Sequence, residues 1–159
     1  LHLEDRKLQS KKEFLDDIAV SLGGYVTEGM MFGDLTTGPS NDLQVSTALA
    51  RDMVTKYGMS DNMGPVALES EGGRVLFGRG VGEGEYSEEV AAKIDAEVRA
   101  IMTNAMNRAE VTIKTHRKLL EAIAMRLIET ETIEREEFEQ ILVAHGVVPK
   151  KKKDIEHLA

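Results

Sequence analysis

Apolar positions recur every three or four residues along most of this chain, the spacing that places side chains on one face of an α-helix. The first predicted helix begins at a capping box formed by Ser10 and Glu13 and ends at Gly33. Gly23-Gly24 interrupts it, and we interpret the missing side chains as a place where another backbone approaches closely. The second predicted helix covers residues 41–57.

Three more helices are predicted in the second half of the chain. Ser87 can cap the third, because Glu88 and Glu89 follow it in the first turn, where acidic residues suit the helix dipole. The apolar stripe of this third helix consists of Val90, Ile94, Val98, Ile101, Ala105 and Ala109. Thr115 opens the fourth helix, and a short fifth helix after Ile133 ends at Gly146.

The segment between the second and third helices has a different pattern. Apolar residues alternate on both sides of Glu71-Gly72-Gly73, which predicts a β-hairpin over residues 66–77. A glycine-rich run follows at residues 78–84; such a run can cradle phosphate, but it lacks the Lys-Ser/Thr of a nucleotide loop, which favours a mobile connector. The expected fold is therefore mainly α, bundle-like, with one small β-hairpin.

Composition and charge narrow the possible functions. The chain has 159 residues, a net charge of −8, no cysteine and only 4% aromatic residues. The negative charge argues against nucleic-acid binding, and the absence of cysteine excludes disulfides and thiolate metal ligands. No apolar run is long enough to span a membrane and no signal peptide opens the sequence, so we expect a soluble chain. Residues 147–159 form an expected disordered basic tail containing Lys150–Lys153.

A polar turn before the second helix leads to the candidate functional residue, Asp42. Gly38 and Pro39 mark the turn, and Ser40 or Asn41 can cap the helix. Asp42 then shares the apolar side of the helix with Val45, Leu49 and Met53 at helical spacing. An inward carboxylate must be paired, hydrogen-bonded or bound to a metal. The simpler interpretation is an interaction of Asp42 with the positive end of its own helix, and spacing alone leaves both open.

The segment Thr36–Leu43 closely resembles the part of FtsH-type ATP-dependent zinc metalloproteases that supplies the third zinc ligand. Further segments match that family in order and spacing. They are Leu22–Glu28, Phe32–Gly33, Met53–Ser60, Leu76–Arg79, Ser87–Glu89, Ile94–Val98 and Glu129–Ile133. The resemblance covers roughly residues 3–145 and implies that Asp42 is a zinc ligand. Tyr25 and Gly29 depart from the family pattern, where arginine and a second glutamate are usual, and this leaves the role of Glu28 open.

In this family two histidines of an upstream His-Glu-x-x-His helix complete the zinc site, and its glutamate is the general base. The histidines of this chain are His2, His116, His145 and His157. No two stand four residues apart, so the motif is absent. We therefore expect no catalytic residue in this chain, an incomplete zinc site, and no peptidase activity for the chain alone.

The resemblance implies that residues 1–146 are the C-terminal part of a peptidase domain. The parent protein would be a membrane-anchored hydrolase whose ATPase domain binds ATP and feeds unfolded or membrane proteins into a homo-hexameric chamber. Its peptidase domain would lie on the cytoplasmic side, or in an organelle matrix or stroma. The alternative is a non-catalytic helical assembly domain derived from the same fold. Retention of Asp42 within an intact Thr-Thr-Gly-x-Ser-Asn-Asp segment argues against that alternative.

Overall fold

The computed structural model of the chain describes residues 8–70, 72, 74–76 and 86–149. Its helices are α1 (Lys11–Ser21), α2 (Gly23–Phe32), α3 (Ser40–Thr55), α4 (Glu88–Thr115), α5 (Arg117–Thr130) and α6 (Arg135–Ala144). The mainly α prediction is confirmed. The predicted glycine-rich connector and the lysines of the predicted tail lie outside the described residues.

The first predicted helix is two helices, and the chain turns between them at Leu22. This residue ends α1 and begins α2, and its side chain is buried in the core. The predicted close approach of a backbone at Gly23 and Gly24 is wrong, because a Cβ on either would meet no described atom within 4 Å. The glycines instead weaken the helix next to an anchored side chain. Gly33 ends α2 as predicted, in the left-handed conformation with a φ of 65°.

The capping box predicted for the first helix is present and complete. Ser10 Oγ accepts a hydrogen bond from the Glu13 amide at 3.2 Å, and the Glu13 carboxylate accepts one from the Ser10 amide at 2.5 Å. These two bonds satisfy two amides that the start of a helix leaves without partners. The predicted cap of the third helix also forms, since Ser87 Oγ accepts from the Val90 amide at 3.3 Å.

The described residues form two compact units, one within Gln9–Val111 and the other containing residues 112–149. The core of the first unit has two clusters. One contains Phe14, Ile18, Leu22, Ala50, Met53 and Ala105, and the other contains Val54, Leu68 and Ile94. These side chains come from α1, α3, α4 and the hairpin. The buried clusters therefore hold together the elements that the apolar stripes predicted. Phe14 also stacks on Tyr57, with ring centroids 5.6 Å apart.

The second unit contains α5 and α6, which pack on each other. Arg126 of α5 forms an ion pair with Glu137 of α6. The predicted start of α5 at Thr115 is two residues early, since α5 begins at Arg117 and His116 is its N-cap residue. His145 lies at the end of α6, and its Nδ1 is 2.9 Å from the Ile141 carbonyl oxygen. Both histidines therefore lie at helix ends.

The predicted hairpin is present as one antiparallel bridge between Glu69 and Val75. The amides of Leu68 and Glu69 both donate to the Thr55 carbonyl oxygen, at 2.7 and 3.0 Å, which ties the hairpin to the end of α3. An ion pair of 2.8 Å joins Glu69 to Arg51 of α3, and the Glu69 side chain is only 10% exposed. Hairpin and helix are thus joined by both backbone and side-chain contacts.

The Glu69 contact predicts an acid-dependent stability. Burial raises the pKa of Glu69, but the Tyr86 hydroxyl and the Arg51 guanidinium outweigh burial and leave this pKa below its ordinary value. Glu69 therefore binds a proton more readily in the unfolded chain than in the folded chain. The stabilisation is fully present above the ordinary pKa and is lost as the pH falls through the lowered one.

Glu69→Gln should therefore lower the urea midpoint of unfolding near neutral pH and flatten its fall as the pH drops below the ordinary glutamate pKa of 4.5. Glu89→Gln is the matched control, because Glu89 forms an exposed helical ion pair with Lys93 and such pairs contribute little. Parallel pH profiles for the wild type and Glu69→Gln would contradict the prediction.

No helix within the described part of the chain has both the length and the apolar character needed to cross a membrane.

Candidate metal-binding site

Asp42 lies in the first turn of α3 and is exposed. The prediction that its carboxylate faces the interior is wrong, and Val45, placed on the same face, is 56% exposed. The buried stripe of α3 runs through Ser46, Ala50 and Met53. Asp42 stands four residues before Ser46, so it continues this stripe by one turn beyond the end of the core. Helical spacing therefore identified the stripe of α3, but it did not predict at which residue the stripe becomes buried.

The start of α3 also differs from the prediction. Pro39 is the N-cap residue and has no side-chain capping bond, so neither Ser40 nor Asn41 caps the helix. Pro39 is buried, and its carbonyl oxygen accepts the Leu43 amide at 3.1 Å. The helix begins one residue earlier than predicted, because the proline ring holds φ close to a helical value. The negative charge of Asp42 therefore lies at a helix N-terminus without a side-chain cap, where it is favoured.

Side-chain oxygens shape the loop that leads into α3. Thr36 Oγ1 accepts the Gly38 amide at 3.1 Å, and Asp34 Oδ1 accepts the Leu35 amide at 2.8 Å. From outside the loop, Glu28 Oε1 of α2 accepts the Thr36 amide at 2.9 Å. A Cβ at Gly38 would lie 3.3 Å from Thr36 Oγ1, so the turn leaves little room for a larger residue. These contacts determine where the first turn of α3 starts.

Glu28 is the contact that sequence reasoning missed. Its hydrogen bond spans eight residues and joins a helix to a loop, so no helical or strand periodicity predicts it. The only signal was the family-like pattern around Glu28, which the departures at Tyr25 and Gly29 obscured.

The described residues do not by themselves form a metal site of three ligands. None of the described histidines, aspartates and glutamates come together in a group of three that could hold a metal ion. A protein zinc site of the catalytic type needs three such ligands. Asp42 is exposed at the first turn of α3 and belongs to no such group among the described residues.

Comparison with known proteins places this chain in a peptidase family. The family model described as peptidase family M41 matches residues 2–141. The ATP-dependent zinc metalloprotease FtsH of Thermotoga maritima is 45% identical over 145 residues, which are 89% of this chain and 24% of that protein. The Bacillus subtilis protein of the same name is 41% identical over 150 residues, covering 93% of this chain and 23% of the relative.

The chain therefore belongs to peptidase family M41, and the resemblance to FtsH-type proteases is confirmed. FtsH 1 of Sphaerobacter thermophilus agrees, at 45% identity over 87% of the chain and 21% of the relative. The chain spans less than a quarter of the length of these relatives. It contains a peptidase-domain segment of a family whose named members are zinc metalloproteases.

Proposed function

We propose that residues 1–146 form the C-terminal part of the peptidase domain of an ATP-dependent zinc metalloendopeptidase. Asp42 supplies the third protein ligand of its zinc. The observation that carries this proposal is the exposed carboxylate at the first turn of α3, within the segment that resembles the ligand segment of the family. The match of the family model over residues 2–141 supports the domain assignment.

The position of Asp42 suits a metal ligand in three respects. Its carboxylate is a hard oxygen donor, it is exposed, and it lies at the positive end of a helix. The buried stripe behind it, through Ser46 and Ala50, anchors α3 and so fixes the start of the helix. Zinc, when bound, polarises a scissile carbonyl and activates water. The role of this chain is to hold one carboxylate in place.

The remaining parts of the site come from a longer protein. A preceding segment with His-Glu-x-x-His supplies two histidine ligands and the general base, and the chain alone is inactive. In that protein an ATPase domain delivers unfolded or membrane proteins to a homo-hexameric, membrane-anchored peptidase. The peptidase faces the cytoplasm, or an organelle matrix or stroma. Exposed apolar side chains on the second unit, including Met125, Ile128 and Val143, provide surface for subunit contacts.

Zinc content and mass, measured on the same samples, test this proposal. The purified, tag-free chain should hold zinc weakly or not at all, since one carboxylate is far short of three ligands. The longer protein should hold one zinc per chain and scatter light as a hexamer. Tightly held stoichiometric zinc in the chain alone would contradict the incomplete site. A longer protein that binds no zinc would favour the alternative, a non-catalytic assembly domain.

A further inference from the structure

The loop before α3 is exposed over residues 34–38, yet it has a defined link to the folded unit. That link is the hydrogen bond from the Thr36 amide to Glu28 Oε1, at 2.9 Å. Leu35 lies close to Gly29 of α2, since its Cδ2 would be 3.5 Å from a Cβ built at that glycine. Two neighbouring positions of α2 therefore lie beside two neighbouring positions of the loop, and Glu28 holds one of them.

The helix that carries Glu28 is itself anchored. Val26, two residues before Glu28, is buried in the same unit. A carboxylate fixed on such a helix makes a stronger hydrogen bond to an amide than a neutral acceptor does. The Glu28 carboxylate therefore fixes the middle of the loop relative to the rest of the unit.

From Thr36 the constraint passes along the loop to Asp42. Thr36 Oγ1 accepts the Gly38 amide at 3.1 Å, and the Thr37 carbonyl oxygen accepts the Ser40 amide at 3.1 Å. Ser40 is the first residue of α3 and Asp42 is the third. Because no side chain caps this helix, these loop contacts position its first turn.

We infer that Glu28 is a positioning residue for Asp42. It acts through the Thr36 amide and the loop, and it is not itself a metal ligand. The inference rests on the proposed function, in which Asp42 binds zinc. Partners that orient a metal ligand typically matter by about 10- to 100-fold in metal affinity or activity.

Amide hydrogen exchange on the chain itself tests the contact without any metal. In Glu28→Ala the Thr36 amide should exchange about tenfold faster than in the wild type, because it loses a charged acceptor. Glu28→Gln keeps an oxygen acceptor at the same reach and should retain most of the protection. Glu13→Ala is the matched control, since it removes a similar carboxylate-to-amide bond at α1 and should leave Thr36 unchanged.

The effect on the site is tested in the longer protein. Glu28→Ala should lose zinc to a chelator at least about tenfold faster and lose proteolysis in proportion. Glu28→Gln should restore both, and Glu13→Ala should behave as the wild type. If the negative charge of Glu28 acted directly on the metal, the neutral side chain of Glu28→Gln would not restore zinc retention or proteolysis. ATP hydrolysis, measured alongside, reports whether the protein remains assembled.

The inference and the proposed function can fail separately when Asp42→Asn is included. If Asp42→Asn loses zinc while Glu28→Ala keeps it, the positioning role is wrong and the zinc ligand stands. If Asp42→Asn keeps both zinc and proteolysis, the proposed function fails, and any effect of Glu28→Ala cannot act through Asp42. Unchanged Thr36 exchange in Glu28→Ala would overturn the inference at its first step.

Discussion

Asp42→Asn in the longer protein should reduce proteolysis by about 100-fold or more and leave ATP hydrolysis largely intact. The substitution keeps the size of the side chain and replaces a charged oxygen donor with a neutral, poorer zinc ligand. Asp42 is exposed and lies outside the buried core of α3, so the folded chain should tolerate the amide. Casein digestion, ATP hydrolysis and bound zinc, measured on one preparation, separate loss of the site from loss of the fold.

Asp17→Asn is the matched control for that experiment. Asp17 is an exposed aspartate on α1, and its substitution makes the same chemical change away from the loop before α3. Proteolysis by this variant should equal that of the wild type. Casein digestion by Asp42→Asn at the wild-type rate would remove Asp42 from the site.

Ile18→Ala should destabilise the chain by about 3 kcal/mol. Ile18 is 0% exposed and lies in the cluster that joins α1 to Ala50 and Met53 of α3. Truncation removes three carbons from a packed interior and leaves a cavity that the surrounding helices fill only in part. Urea unfolding followed by circular dichroism measures the change.

Val20→Ala on the same helix is the control for that measurement. Val20 is also β-branched but is 79% exposed, so its truncation should change the stability by no more than about 0.5 kcal/mol. Alanine has the higher helix propensity at both positions, so equal losses for the two variants would show that burial at Ile18 is not responsible.

Local patterns predicted the elements of this fold well. The capping box at Ser10 and Glu13, the cap at Ser87 and the helix end at Gly33 all depend on residues within a few positions of each other. The apolar stripe of α4 likewise includes buried Ile94, Ala105 and Ala109. These features were predictable because helical geometry and capping chemistry act over one or two turns.

Positions that depend on the surroundings of a helix were predicted less well. The break between α1 and α2 falls at Leu22, because burial of its side chain decides where the chain turns. Asp42 lies on the extension of a buried stripe and is nevertheless exposed. Periodicity gives the direction of a side chain around its helix, whereas burial requires a neighbour at the same height along it.

By itself the sequence determined the helical class, the hairpin, the family and the segment that contains Asp42. These rest on short-range patterns and on motifs that follow one another along the chain. Only the tertiary structure decided that Pro39 is the N-cap residue of α3, with no side-chain capping bond, and that Glu28 holds the loop before the helix. The physical reason is that the Glu28–Thr36 bond joins a helix to a loop across eight residues, a contact that exists only once α2 and the loop after it are folded.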